Sequence, residues 1–148
     1  FFGTFLAKYQ TKYLSEYKML TLDTKSNMNP EPPPKKLPDF DLNSIIASTT
    51  DLVLVLFTSD GSGLGYIEES NLAELPKKLV KSISIYKLDY EKHKDVALTY
   101  NIRELPTLLF FHGKTIIDKI VGLHSKAELI SIIQLNLERA HFHPLKAL

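Results

Sequence analysis

The chain has no cysteine among its 148 residues. That excludes disulfides, thiolate metal sites and cysteine nucleophiles together, and it leaves the redox compartment open. There is no arginine-rich stripe and no aromatic-basic motif of the kind that reads RNA or DNA, and the formal net charge is only +1, so no nucleic-acid partner is expected. No apolar run is long enough to span a bilayer. The opening "FFGTFL" fits the end of such a helix lying upstream, so membrane contact is expected, if at all, only through the N-terminal end. The first residue is Phe1 instead of Met, which fits a removed targeting segment.

What is present is the composition of a soluble globular protein, 44% hydrophobic and 24% charged, with enough chain for one domain and an appendage. Charge is uneven. Residues 1–38 carry six lysines against Glu16, Asp23 and Glu31, a balance of +3. The rest carries twelve basic against fourteen acidic residues, a balance of −2. A mildly basic arm therefore precedes a mildly acidic body.

In residues 1–22, Phe2, Phe5, Leu6, Tyr9, Tyr13, Tyr17 and Leu20 recur at helical spacing. They predict an amphipathic helix with an aromatic face, which needs a surface to lie on: the body, a partner or a membrane. Residues 23–38, "DTKSNMNPEPPPKKLP", hold five prolines and no periodicity, and predict an extended linker. The domain boundary falls near Leu37–Asp39, giving a domain over 39–140 and a tail over 141–148.

The body alternates. Residues 41–47 have a short helical pattern. "LVLVLF" (52–57) is an uninterrupted apolar run, as in a strand covered on both faces. Residues 66–80 place Leu72, Leu75 and Leu79 on one side of a helix that Pro76 should kink or shorten. Residues 82–88 read as a strand and 91–100 as a helix with Val96, Ala97 and Tyr100 inward. "TLLFF" (107–111), a tight turn at His112–Gly113 and "TIIDKIV" (115–121) read as a hairpin. Residues 125–137 read as a helix opened by a Ser125/Glu128 capping box. The order β-α-β-α-β-β-α predicts an α/β fold: a mixed central sheet whose first two strands are parallel and last two antiparallel, with helices on both faces.

That order, together with "YNIRELPTLLFFHGK", resembles the thioredoxin superfamily from about Phe40 to Leu137. The family segment aromatic-Gly-Ile/Val-Arg-x-x-Pro-Thr is matched by Tyr100 to Thr107, with Asn101 in place of the glycine. Gly122 in "IVGLHS" matches the glycine before the last helix. The resemblance implies a thioredoxin-like fold and a cis Leu105–Pro106 bond beside the active site. It also implies that the Leu105 backbone can pair with an extended peptide, with Pro106 and Tyr66 beside it.

In register with Phe57, Ser62 stands at the first cysteine position of the family dithiol and Gly65 at the second. Gly63 is kept, Leu64 replaces the proline, Gly61 the tryptophan and Leu56 the buried aspartate. Disulfide exchange needs a thiolate and a second, resolving sulfur. Ser62, Gly63, Leu64 and Gly65 supply neither, so a redox-inactive member, not an enzyme, is expected. The loop glycines fit relaxed constraint or the close approach of another backbone.

Other chemistries fit less well. The loop is G-x-G-x-G, not the dinucleotide G-x-G-x-x-G, and lacks a P-loop Gly-Lys-Ser/Thr. Glu68 and Glu69 follow it and would repel phosphate, and Asp89 suits a helix cap as well as a ribose contact. Weak nucleotide binding is kept only as a third reading. His141 and His143 lack further ligands, and Ser62 lacks a G-x-S-x-G setting or a histidine placed beside it. No catalytic, cofactor or metal residue is assigned. The expected function is a non-catalytic docking or structural subunit of a larger, organellar protein complex, tethered by its N-terminal extension. The alternative is a peptide-binding or chaperone-like module. The mitochondrion is the first expected location and the plastid the second.

Overall fold

The computed structural model describes residues 35–36 and 42–142. The aromatic stripe expected of Phe2, Phe5, Leu6, Tyr9, Tyr13 and Tyr17 lies outside the described residues, as do most of the Pro-rich segment and His143.

The sheet is organised by β2 (Leu52–Thr58), whose seven residues are all buried. Side chains alternate across a strand, so an unbroken apolar run must be covered on both sides. Leu52, Leu54 and Leu56 point to one face with Leu108 and Phe110. Val53, Val55 and Phe57 point to the other with Leu109 and Phe111. β3 (Ile83–Asp89) runs parallel to β2, from Leu52 opposite Ile83 to Thr58 opposite Asp89. β4 (Thr107–His112) runs antiparallel on its other side, with Phe57 opposite Thr107 and Leu52 opposite His112. β5 (Thr115–Val121) returns from β4 as an antiparallel edge, with an irregularity between Phe110 and Phe111. A two-residue strand β1 (Lys35–Lys36) pairs in parallel with Tyr86 and Lys87 of β3. The sheet order is β1-β3-β2-β4-β5. The sheet thus takes in two residues of the segment read as linker.

Among the described residues five helices cover the sheet: α1 (Leu42–Ser48), α2 (Gly63–Ala73), α3 (Lys77–Val80), α4 (Lys94–Thr99) and α5 (Lys126–Phe142). On the first face Leu72 of α2, Leu79 of α3 and Leu129, Ile130 and Ile133 of α5 join the leucines of β2, with Leu75 between α2 and α3. On the second face Leu42 and Ile46 of α1, Ala97 of α4 and Ile102 join Val53, Val55 and Phe57. Each fully buried leucine or phenylalanine contributes about 1.5–3 kcal/mol of transfer free energy, and the two clusters bind the helices to the sheet. The ring of Tyr100 meets Phe111 edge-on at 5.3 Å between centroids.

The expected α/β order with its mixed sheet is the observed one; the helix limits differ. The single helix expected over 66–80 starts earlier, at Gly63, and is two helices. α2 stops at Ala73 and α3 restarts at Lys77, because Pro76 sits at φ −55°, ψ 133° and cannot continue the hydrogen-bond ladder. The helix expected over 91–100 shrinks to Lys94–Thr99. Its first turn is lost to a local alternative, in which the Asp89 carboxylate accepts the Lys92 N–H at 3.1 Å. His112 belongs to β4, and Gly113, at φ +59°, makes the turn with Lys114. The last helix continues five residues beyond Leu137 through good helix formers such as Glu138, Arg139 and Ala140. Its capping box forms as expected: Glu128 N–H donates to Ser125 Oγ at 3.2 Å, and Ser125 N–H to Glu128 Oε2 at 2.7 Å. The Ser125 N–H and the Ser125 hydroxyl, both donating to Glu128 Oε2, hold the Glu128 carboxyl below its ordinary range.

Candidate functional site

β2 and β3 end together at Thr58 and Asp89, and β4 begins at Thr107 opposite Phe57. The loop Ser59–Ser62 and the Leu105–Pro106 turn therefore leave the sheet at the same end. This end carries the sequence-predicted site residues. His112 is at the other end, opposite Leu52, so the fold separates it from Ser62.

The loop is built by local hydrogen bonds. Ser62 N–H donates to Ser59 O at 3.1 Å, which closes a tight turn through Gly61 at φ +84°, a conformation that suits glycine. Asp60 N–H donates to Asp89 Oδ2 at 3.3 Å, and Lys92 Nζ reaches Asp60 Oδ2 at the same distance. Slight burial pushes the Asp89 carboxyl up, but the Lys92 and Asp60 N–H groups together outweigh it and hold it below its usual range. Asp89 is thus occupied in tying the loop to β3.

Ser62 is the N-cap of α2. Its Oγ accepts from Gly65 N–H at 3.1 Å and its carbonyl from Tyr66 N–H at 3.0 Å. Serine suits this role because its hydroxyl satisfies a first-turn donor that the helix leaves unpaired. The residue at the first cysteine position is therefore a structural cap.

The glycines differ from one another. A Cβ on Gly63 would meet nothing within 4 Å, so relaxed constraint describes that position. Gly65, at the second cysteine position, is buried, and a Cβ there would overlap Thr58 Oγ1 and lie 3.0 Å from Thr58 Cβ. The expectation of relaxed constraint is corrected at Gly65: a side chain, that of Thr58, fills the space. Thr58 is 3% exposed and its Oγ1 has no hydrogen-bond partner. Leu56, at the position of the family aspartate, is fully buried among leucines.

The outer side of α2 is apolar. Leu64, Tyr66 and Ile67 are exposed, Tyr66 by 75%. Across the site the Leu105–Pro106 bond is cis, as the resemblance implied. Pro106 is buried, Leu105 half-buried, and Leu105 makes no hydrogen bond with another described residue. Thr107 Oγ1 donates to Glu104 O at 2.6 Å and Gly122 N–H to Pro106 O at 2.8 Å, which fixes the turn.

The two acids expected to repel phosphate are not loose surface charges. Glu69 is paired with Lys87 at 2.7 Å. Glu68 is 1% exposed and lies against His124. Sequence reasoning missed this pair, which has no local signal because its members are 56 residues apart. Among the described residues no three metal-ligating side chains converge, and no helix is long and apolar enough to cross a membrane.

A parallel-antiparallel sheet, helices on both faces, and a helix N-terminus at the same end of the sheet as a cis-proline turn define a thioredoxin-like α/β protein. A family model described as Thioredoxin matches residues 34–135, and the chain belongs to the thioredoxin family. It is 29% identical over 103 residues to the thioredoxin of Buchnera aphidicola subsp. Schizaphis graminum, covering 70% of this chain and 95% of that one. It is 36% identical over 61 residues to the chloroplastic thioredoxin M-type of Spinacia oleracea, covering 41% and 34% respectively. The crystal structure of chloroplastic thioredoxin z superposes with a TM-score of 0.62 at 19% identity, covering 71% of this chain and 94% of that one.

Proposed function

We propose that this thioredoxin-family chain is redox-inactive and works as a non-catalytic docking or structural subunit of a larger protein complex. The observation that carries the reading is the closure of the second cysteine position: Thr58 occupies the space a side chain at Gly65 would need. Ser62 supports it by serving as a helix cap in place of a nucleophile. Sulfur is needed twice in disulfide exchange, and the chain holds no cysteine anywhere. The partners are other protein subunits. Phe2, Phe5, Leu6, Tyr9, Tyr13 and Tyr17 serve as anchors, since aromatics dominate interface energetics. Of the two compartments raised by the sequence, the likeness to a chloroplastic thioredoxin M-type fits the plastid, and nothing comparable favours the mitochondrion.

A thiol–disulfide exchange assay with a protein disulfide substrate tests the redox half of this reading. The chain should give the blank rate. The Ser62→Cys/Gly65→Cys variant should be poorly folded, and further substitution of Thr58→Ala should recover its fold. A double-cysteine variant that folds as well as the parent would contradict the closure argument.

A second reading, a peptide-binding or chaperone-like module, draws on the Leu105 backbone, which makes no hydrogen bond with another described residue, and on the exposed Leu64, Tyr66 and Ile67 at the same end of the sheet. Peptide titration followed by NMR should then move the amides of Tyr66 and Leu105 first. Nucleotide binding finds no comparable support, since Asp89 is already engaged by the Asp60 and Lys92 N–H groups.

A further inference from the structure

Glu68 is the only carboxylate among the described residues that is fully buried. It faces the loop between β5 and α5, and α2 grips one residue of that loop at both backbone groups. Glu68 Oε2 accepts the His124 N–H at 3.0 Å, and Asn71 Nδ2, one turn further along α2, donates to His124 O at 2.9 Å. The remaining carboxylate oxygen, Oε1, lies 3.5 Å from His124 Nδ1. Neither of these two atoms has a hydrogen-bond partner. With the ring nitrogen as acceptor, a proton kept on Oε1 gives the two atoms the right polarity to pair across that gap. An ionised carboxylate there would be an acceptor-only charge taken out of water, a costly arrangement.

The charged groups acting on Glu68 are His124 from the loop and Glu128 from the first turn of α5. Glu128 adds negative charge and so favours keeping the proton. Nearby Glu69 is committed to Lys87, and Lys126 is paired with Glu74. The same loop reaches the site, because Gly122, two residues before His124, donates to Pro106 O at 2.8 Å.

We propose that the buried Glu68 carboxyl keeps its proton on the oxygen facing His124 and forms a pH-operated latch between α2 and the loop that leads from β5 to α5. With the proton in place the pair is neutral overall and the latch is closed. As pH rises the pair releases one H⁺ to solvent and gains one negative charge. The loop then loosens from α2, and the Gly122–Pro106 contact loosens with it. The latch links the two sides of the candidate site, α2 and the cis-proline turn, and does not depend on what the site binds. Burial holds the Glu68 carboxyl above its ordinary range, which agrees with a retained proton.

NMR of the full chain between pH 4.5 and 9 tests this, following the Glu68 side-chain carboxyl carbon, the His124 ring nitrogens and amide-exchange protection factors. The Glu68 carboxyl carbon should report a single transition above its ordinary range, and the His124 ring nitrogens should shift with it. Protection of the His124 and Gly122 amides should fall at least tenfold across it. In Glu68→Gln, protection at those amides should be flat over the same range. A Glu68 carboxyl that is already ionised at the acid end of the range, or protection in the parent chain that ignores its transition, overturns the latch. So does a folded Glu68→Gln protein with the parent's pH response. If that variant does not fold, the transitions and protection factors of the parent chain decide alone.

Discussion

Gly65 and Thr58 form a size-complementary pair across the first turn of α2. Gly65→Ala forces a methyl group into Thr58, an overpacking change that costs about 1–3 kcal/mol. Thr58→Ala removes the colliding hydroxyl, so the Thr58→Ala/Gly65→Ala protein should be more stable than the sum of the two single changes predicts. Urea unfolding of the four proteins of the cycle measures this coupling. Gly63→Ala, with nothing within 4 Å, should have little effect beyond helix propensity and is the control. Ser62→Ala removes the α2 cap and should cost about 1 kcal/mol. In the sequence, Gly63 and Gly65 look alike, and only the dithiol register distinguishes them. The constraint on Gly65 comes from a strand residue seven positions earlier, which no local pattern shows. From the sequence Glu68 is expected only to repel phosphate, since nothing there signals that a histidine 56 residues later covers it.

Among the elements, the strands were legible and the helix ends were not. "LVLVLF" could only be a doubly covered strand, and it is β2. The capping box at Ser125 and Glu128 carried its own geometry in its spacing and forms as read. By contrast, α4 lost its first turn to the side chain of Asp89, a competition that helix periodicity does not record. Ser125→Ala should lower stability by about 1 kcal/mol and fray the start of α5, visible as faster amide exchange there.

The pH response also belongs to the elements. The folded-state pKa of Glu68 is raised, so the native state binds more protons than the unfolded chain above pH 4.5. Stability contributed by the protonated form is present below that value and is lost as pH rises through the folded pKa. Glu128 has the opposite sign: its depressed pKa contributes stability above pH 4.5 that is lost as pH falls through the folded value. Thermal melts of Glu68→Gln should therefore lose the decline on the alkaline side and keep the one on the acid side. An unchanged alkaline limb in Glu68→Gln would show that Glu68 ionises as freely in the fold as outside it.

For the whole molecule, the thioredoxin family frame positions a helix N-terminus, a cis-proline turn and an apolar rim at one end of the sheet. The frame was legible because the cis-proline segment, the strand order and Gly122 occur together in the right sequence. The chemistry this frame often serves needs two sulfur atoms, and here Ser62 caps a helix and Thr58 closes the space beside Gly65. On the proposed reading the domain serves recognition, through its exposed surface and through the aromatic residues of segment 1–22. Native size-exclusion chromatography of an extract of the source tissue, with antibody detection and cross-linking of each fraction, tests that claim most directly. The protein should elute far above its own mass and cross-link to other subunits, and those cross-links should be lost when Phe2, Phe5, Tyr9, Tyr13 and Tyr17 are changed to alanine. Elution as a lone monomer, with no cross-linked partner in any fraction, would contradict the account.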